Sequence, residues 1–143
     1  MGEIMGFDNQ MFHNELDDII SNPNYKKIAI SYPRGHGKTT HLSVGYPIWE
    51  MSKNHNVRIL LVSSTASISQ SSLSTIMANI EKNTALGTYS YFIDPSKQGI
   101  VPQLKGGAKT KQSWSGNQIT IARDDLKLRD ATISAIGVFG SIL

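Results

Sequence analysis

Ten residues in the first third of the chain have the types and spacing that suit phosphate binding. Residues 31–40 read SYPRGHGKTT. A Walker A loop consists of a glycine, four residues and then Gly-Lys-Ser/Thr, and it lies between a strand and a helix. Gly37, Lys38 and Thr39 match that ending, whereas Tyr32 stands where the first glycine is expected. The pattern predicts a loop that binds the phosphates of a nucleotide.

Each part of such a loop has a physical role. Backbone N–H groups at a helix N-terminus bind phosphate oxygens, and glycines such as Gly35 and Gly37 permit a close approach. Lys38 offsets charge on the β- and γ-phosphates of ATP, and the Thr39 hydroxyl is a ligand for Mg²⁺. We therefore predict ATP and Mg²⁺ as cofactors and Thr39 as the metal ligand. The predicted binding residues are Pro33, Arg34, Gly35, His36, Gly37, Lys38, Thr39 and Thr40.

Three side chains in or beside the loop have a second interpretation. Arg34, four residues before Lys38, either stabilises charge that develops on the γ-phosphate or forms a surface salt bridge, and composition does not decide between these. His36 and His41 resemble a metal-binding pair, but no further ligands occur at a useful spacing. The sequence predicts no metal other than the Mg²⁺ of the nucleotide.

Hydrophobic periodicity predicts the elements that position this loop. The order of strand, loop, helix, strand and helix indicates a βαβ unit and an α/β fold with a parallel sheet flanked by helices. Gly45 and Pro47 predict a kink in the helix that follows the loop. The predicted helices are 7–20, from Thr39 through Met51, and 65–82; the predicted strands are 26–31, 57–63, 118–123 and 131–138; residues 83–110 have no sustained period.

The acidic residues expected of a P-loop ATPase are hard to find. Such an enzyme has an aspartate at the end of a second apolar strand, which holds Mg²⁺, and usually a glutamate beside it. Asp94 follows a run that is too short, and Arg123 interrupts the apolar run before Asp124 and Asp125. We therefore interpret Asp124 and Asp125 as a polar turn rather than as metal ligands.

Composition limits the remaining classes. The chain has 143 residues, no cysteine and a net charge of +3, so it has neither a disulfide scaffold nor a cysteine-ligated zinc site. Residues 1–25 contain five acidic residues and no Lys or Arg, whereas residues 97–129 contain seven basic and two acidic residues. The basic stretch is either a solvated loop and hairpin or a surface that faces nucleic acid. No apolar run is long enough to cross a membrane.

Several runs together resemble the ATPase domain of the large terminase subunit of tailed bacteriophages. Residues 28–40 (IAISYPRGHGKTT), 45–49 (GYPIW) and 58–64 (RILLVSS) are similar to that family's loop, its following helix and its second strand. Residues 112–114, 119–123 and 131–140 are similar to the stretch before the family's Walker B strand. The likeness covers about residues 10–143, and it implies a P-loop NTPase fold of the RecA-like class.

The resemblance also implies a function and a set of partners. The family drives viral DNA into a procapsid by ATP hydrolysis, so Lys38 is expected to bind the β- and γ-phosphates and Arg34 to sense or stabilise the γ-phosphate. Double-stranded viral DNA, the portal protein and the small terminase subunit are the implied partners, in the cytoplasm of the infected bacterium. The full-length protein is expected to form a homo-oligomer.

The resemblance gives residues 1–143 as a partial N-terminal ATPase domain. The Walker B acids, the catalytic glutamate and the C-terminal nuclease domain have no counterpart in this sequence, so hydrolysis by this chain is doubtful. Two other functions stay open at this point. One is a helicase-like P-loop ATPase, and the other is a non-catalytic terminase remnant that binds only nucleotide, DNA or partner subunits.

Overall fold

A computed structural model describes residues 11–82, 113–121, 123, 125 and 127–139. The predicted irregular stretch 83–110 lies wholly within the part that is not described, as do Asp94 and Asp124. The described elements, in chain order, are α1 (Met11–Ser21), a π-helix (Thr40–Gly45), α2 (Tyr46–Lys53), β1 (Ile59–Ser63), α3 (Ala66–Lys82), β2 (Gln118–Ile119) and β3 (Ile133–Gly137).

A three-stranded sheet with the order β1-β3-β2 forms the centre of the described part. β1 and β3 are parallel, with Ile59 opposite Ile133 and Ser63 opposite Gly137, and β2 pairs with β3 in the antiparallel direction. The chain passes from β1 through α3 before it returns to the sheet, as parallel pairing requires. The structure is thus a mixed α/β arrangement, while its membership of the P-loop NTPase fold stays a prediction.

The interior lies between α3 and one face of the sheet. Leu73, Ile76 and Ile80 repeat at helical spacing on α3 and are buried against Ile133 and Ala135 of β3. Residues of the π-helix and α2 join the same cluster: Val44, Ile48 and Met51. At the end of β3, a Cβ on Gly137 would overlap the backbone of Thr65 and Ala66, so the strand and the start of α3 are in direct contact.

The helix after the loop contains a π-helix where a kink was predicted. Tyr46 N–H donates to the carbonyl of His41, five residues earlier, which is the π-helical pattern. Pro47 has no N–H to donate, and in a regular α-helix its ring would collide with the carbonyl four residues before it. The π-helix widens the helix at this point, so α2 continues from it with Pro47 in the first turn.

The prediction of a buried strand at residues 26–31 is wrong. The structure assigns no strand there, and five of the six residues are exposed, including Ile28 at 38%. Among the described residues, no backbone hydrogen bond joins this segment to another. A short apolar run is compatible with a strand, but the backbone becomes a strand only where a second strand pairs with it, and β1 and β3 pair with each other instead.

One face of the sheet carries exposed apolar side chains in the described part. Leu60 and Val62 of β1 are 58% and 50% exposed on the face opposite α3, and Ile136 of β3 is 38% exposed there. The parallel pairing of β1 was predicted correctly, as were the positions of α3 and β3. In the described ranges, no helix combines the length and apolar character that crossing a membrane requires.

Candidate functional site: the phosphate loop

The backbone between Tyr32 and Lys38 adopts a shape that depends on two glycines. Gly35 has φ 84° and Gly37 has φ 67°, which are left-handed values that side-chain-bearing residues rarely adopt. The helix begins directly afterwards at Lys38, and His41 N–H donates to the Gly37 carbonyl at 2.8 Å. The first N–H groups of a helix have no acceptor within the helix, so they are available to an anion.

The predicted binding residues all lie in this loop and at the start of the helix that follows it. Lys38 is half-buried, and its Nζ donates to the carbonyl of Tyr32 at 3.2 Å, which brings the ammonium group back across the loop. The other members of the set are exposed: Pro33, Arg34, Gly35, His36, Gly37, Thr39 and Thr40. The arrangement leaves the positive side chains, the hydroxyls and the loop backbone accessible from solvent.

The His36 ring contacts the backbone of the loop. A ring nitrogen of His36, Nδ1, lies 3.1 Å from the Arg34 carbonyl, and because a carbonyl only accepts, the ring must donate. His41 lies on the buried side of the helix and is 1% exposed. In the described ranges, no group of three or more His, Asp or Glu side chains is placed to hold a metal ion.

Helix α1 contacts the backbone of the loop and supports it, a role that the sequence pattern did not indicate. Met11 is 83% exposed on this helix, whereas His13 and Leu16 are buried. His13 Nε2 lies 3.3 Å from the carbonyl of His36, and the Tyr32 hydroxyl donates to the Phe12 carbonyl at 3.4 Å.

A second set of contacts joins α1 to the helix that follows the loop. His41 Nε2 lies 2.7 Å from Asp17 Oδ1, a short hydrogen bond between a buried ring and a half-buried carboxylate. The rings of His13 and His41 are stacked, with centroids 5.0 Å apart and planes at 12°. Phe12 contacts Tyr32 and His36, each with a centroid distance of 5.7 Å. These contacts connect α1 to both ends of the loop.

The residues present fit an Mg²⁺-nucleotide on the phosphate side of the site. Two left-handed glycines, a lysine and the Thr39 hydroxyl at a helix start form a donor-rich set suited to phosphate oxygens. A nucleotide site of this type also has a carboxylate at the end of a parallel strand. β1 ends at Ser63 and is followed by Ser64 and Thr65, and β3 ends at Gly137 and is followed by Val138. Neither of the two described parallel strands therefore ends in a carboxylate.

Asp125 forms hydrogen bonds next to the turn at Lys127, and the prediction of a polar turn at Asp124 and Asp125 stays a prediction because Asp124 lies outside the described residues. The Oδ1 of Asp125 accepts from Lys127 N–H at 2.9 Å, and the N–H of Asp125 donates to Asn56 Oδ1 at 3.1 Å. These bonds place Asp125 before β3, beside the segment that leads into β1. Since the carboxyl ends of parallel strands form the opposite edge of the sheet, Asp125 is not placed to act as a strand-end metal ligand.

Arg123, the charged residue at the end of the predicted strand 118–123, is buried at 8% exposure. Its guanidinium donates to Thr132 Oγ1 at 3.1 Å and to the Leu128 carbonyl at 3.3 Å. The pKa of this guanidinium is lowered by burial, and Arg58 lowers it further, whereas the Asp130 carboxylate opposes the shift. The predicted strand 118–123 is correspondingly short: the ladder ends at Ile119, and Ile121 N–H donates to Thr132 Oγ1 instead.

The basic stretch predicted as a possible nucleic-acid surface is only partly described. Lys127 and Arg129 are exposed, and Arg129 lines an open cavity of about 670 Å³ together with Thr120 and Ser134. Lys97, Lys105, Lys109 and Lys111 lie outside the described residues.

Comparisons with known proteins add no assignment, since no family model, curated protein or solved structure matches this chain.

Proposed function

We propose that this chain is the ATP-binding part of a DNA-packaging motor of the large terminase type. The observation that carries nucleotide binding is the left-handed backbone at Gly35 and Gly37, directly before a helix that begins at Lys38. That geometry is the one in which loop N–H groups and a helix N-terminus bind a phosphate chain. The packaging role is supported by the likeness of residues 28–40, 45–49 and 58–64 to terminases.

Each group in the loop has its own role in the proposed binding of ATP. The N–H groups of the loop and first helical turn bind phosphate oxygens, and Lys38 leaves the Tyr32 carbonyl to bind the β- and γ-phosphates. Arg34 is exposed beside the loop, which suits a guanidinium that reaches the γ-phosphate. The Thr39 hydroxyl would hold Mg²⁺, which would supply positive charge beside the phosphates.

Nucleotide binding without efficient hydrolysis is the form of this proposal that the described residues favour. Efficient hydrolysis requires a carboxylate to hold Mg²⁺ and another to orient water, and neither β1 nor β3 ends in one. Single-turnover assays with radiolabelled ATP test this directly. A rate no faster than that of the Lys38→Ala variant supports binding alone, and a clear Mg²⁺-dependent burst of product contradicts it.

The motor role brings partners that follow from the resemblance. They are double-stranded viral DNA, the portal protein, the small terminase subunit and further copies of the motor protein, in the cytoplasm of the infected host. The exposed Lys127 and Arg129 are of the kind that contacts phosphate groups of DNA. If these contacts exist, affinity for duplex DNA falls steeply as salt is raised.

Replacement of Lys38 tests the nucleotide site. Calorimetry with ATP and Mg²⁺ should show at least tenfold weaker binding by Lys38→Ala, since a charge-assisted hydrogen bond contributes about 1.5–3 kcal/mol. Lys27→Ala is the matched control, because Lys27 is exposed and lies before the loop. This substitution removes the same charge as Lys38→Ala. Equal ATP affinity in the Lys38→Ala variant and the parent protein would overturn the assignment of the loop.

A further inference from the structure

We infer that His13, on α1, is a positioning residue that holds the peptide unit between His36 and Gly37 in the orientation needed for phosphate binding. The inference rests on the proposed nucleotide site and adds to it a residue 24 positions before Gly37 in the chain. His13 touches the loop backbone rather than the side of the loop that faces solvent. Its effect on a bound phosphate is therefore exerted through the backbone.

The hydrogen bond between His13 and the loop determines which ring nitrogen carries the proton. Nε2 of His13 lies 3.3 Å from the His36 carbonyl oxygen. A carbonyl oxygen has no proton to give, so the imidazole must donate, and its Nε2 is protonated. His13 thus acts on the loop as a donor in the tautomer that carries the proton on Nε2.

Planarity of the peptide unit transmits this bond to the Gly37 amide. In a trans peptide, the C=O of one residue and the N–H of the next point in opposite directions. Because the His36 carbonyl is directed to His13 on the α1 side, the Gly37 N–H is directed away from α1, to the side open to an anion. The left-handed φ of 67° at Gly37 carries the chain from this peptide into the helix.

The His13 ring is itself held in place on two sides. It is 8% exposed, and its centroid lies 4.1 Å from that of the Phe12 ring. It is also stacked on the His41 ring, with a centroid distance of 5.0 Å. His41 in turn bonds to Asp17 at 2.7 Å and belongs to the first turns of the helix after Lys38. A ring confined in this way keeps its donor aimed at one carbonyl, which is the property that a positioning residue requires.

A packing role for His13 is the competing explanation, and two substitutions separate the roles. His13→Phe keeps an aromatic ring for the stack on His41 but removes the donor. His13→Gln removes the ring but keeps an amide N–H donor at about the distance of Nε2 from the backbone. If His13 only fills space, Phe is the better replacement; if it positions the loop, Gln is the better replacement for ATP binding.

The experiment measures ATP affinity and urea unfolding for the parent chain and both variants, with Glu15→Gln as an exposed control on the same helix. We expect His13→Phe to bind Mg²⁺-ATP about tenfold more weakly while its urea midpoint stays close to that of the parent. His13→Gln should bind within about threefold of the parent even if its midpoint is lower. Parent-like affinity in His13→Phe, or a larger loss in His13→Gln than in His13→Phe, would overturn the inference.

A measurement without nucleotide keeps the inference distinct from the proposed function. Long-range ¹H–¹⁵N spectra of the free chain should show His13 protonated at Nε2, and the ¹H–¹⁵N order parameter of the Gly37 amide should be lower in His13→Phe than in the parent chain and in His13→Gln. A chain that shows both signatures but binds no ATP contradicts the nucleotide site and leaves the support of the loop by His13 standing. A His13 ring protonated only at Nδ1, or a Gly37 order parameter that is unchanged in His13→Phe, overturns the inference whatever the affinity for ATP.

Discussion

Two regions of the molecule are stabilised in different ways: the interior beside α3, and the phosphate loop, which packs against α1. Leu73 and Ile76 have no exposed surface and pack against the inner face of the sheet. Gly35, His36 and Gly37, by contrast, are exposed, and α1 contacts this loop through a hydrogen bond and a ring contact at His36. The first region is held by burial of apolar surface, which is not directional. The second is held by the direction of a few polar groups.

This difference implies that stability and binding respond to different substitutions. Removal of buried apolar atoms lowers the free energy of unfolding, because transfer and cavity costs add. Removal of a polar contact from α1 changes the orientation of a loop that contributes little buried area. A loop of this kind can lose its binding geometry while the rest of the fold persists. Three substitutions, ordered by expected effect on stability, test this comparison.

The largest effect is expected in the interior. Leu73→Ala should lower the free energy of unfolding by about 2–5 kcal/mol, since Leu73 is completely buried between α3 and the sheet. Ile68→Ala is the control on the same helix, because Ile68 is 51% exposed and its truncation should cost about 0.5 kcal/mol or less. Urea unfolding followed by circular dichroism measures both values. Equal losses in the two variants would show that α3 does not pack as described.

An intermediate effect is expected where α1 meets the helix after the loop. Asp17→Ala removes the acceptor that lies 2.7 Å from the buried His41 ring, so it should cost about 1–2 kcal/mol of unfolding free energy. Asp18→Ala is the neighbouring control and should cost about 0.5 kcal/mol or less, since Asp18 is exposed. If Asp17→Ala unfolds at the same urea concentration as Asp18→Ala, then α1 is not anchored through His41.

Local pattern was a good guide to the elements of the interior and a poor one to the support of the loop. β1, β3 and α3 were predicted because an apolar run or a helical repeat determines each of them within one short window of sequence. Residues 26–31 have a similar run, yet pairing decides whether such a run is a strand, and pairing depends on residues far away in the chain. The π-helix was missed because Gly45 and Pro47 indicate a distortion without specifying its form.

The candidate site divides along the same line. The positions of Gly35, Gly37 and Lys38 on one loop before a helix follow from local motif chemistry. The burial of His13 does not, because its partners are 23 and 28 residues away, at His36 and His41. The burial of Arg123 was missed for a similar reason, since Thr132 accepts its hydrogen bond only once the turn before β3 has formed.

The smallest effect is expected at Tyr32, and it tests which contacts from α1 matter. Tyr32→Phe removes the bond to the Phe12 carbonyl but keeps the edge contact with the Phe12 ring at 5.7 Å. At 3.4 Å that bond is long, so its loss should cost about 0.5 kcal/mol or less and leave the affinity for ATP within about twofold. Calorimetry on the Tyr32→Phe and His13→Phe variants side by side supplies the measurement. A loss at Tyr32 as large as that at His13 would mean that general contact with α1, rather than one directed donor, maintains the loop.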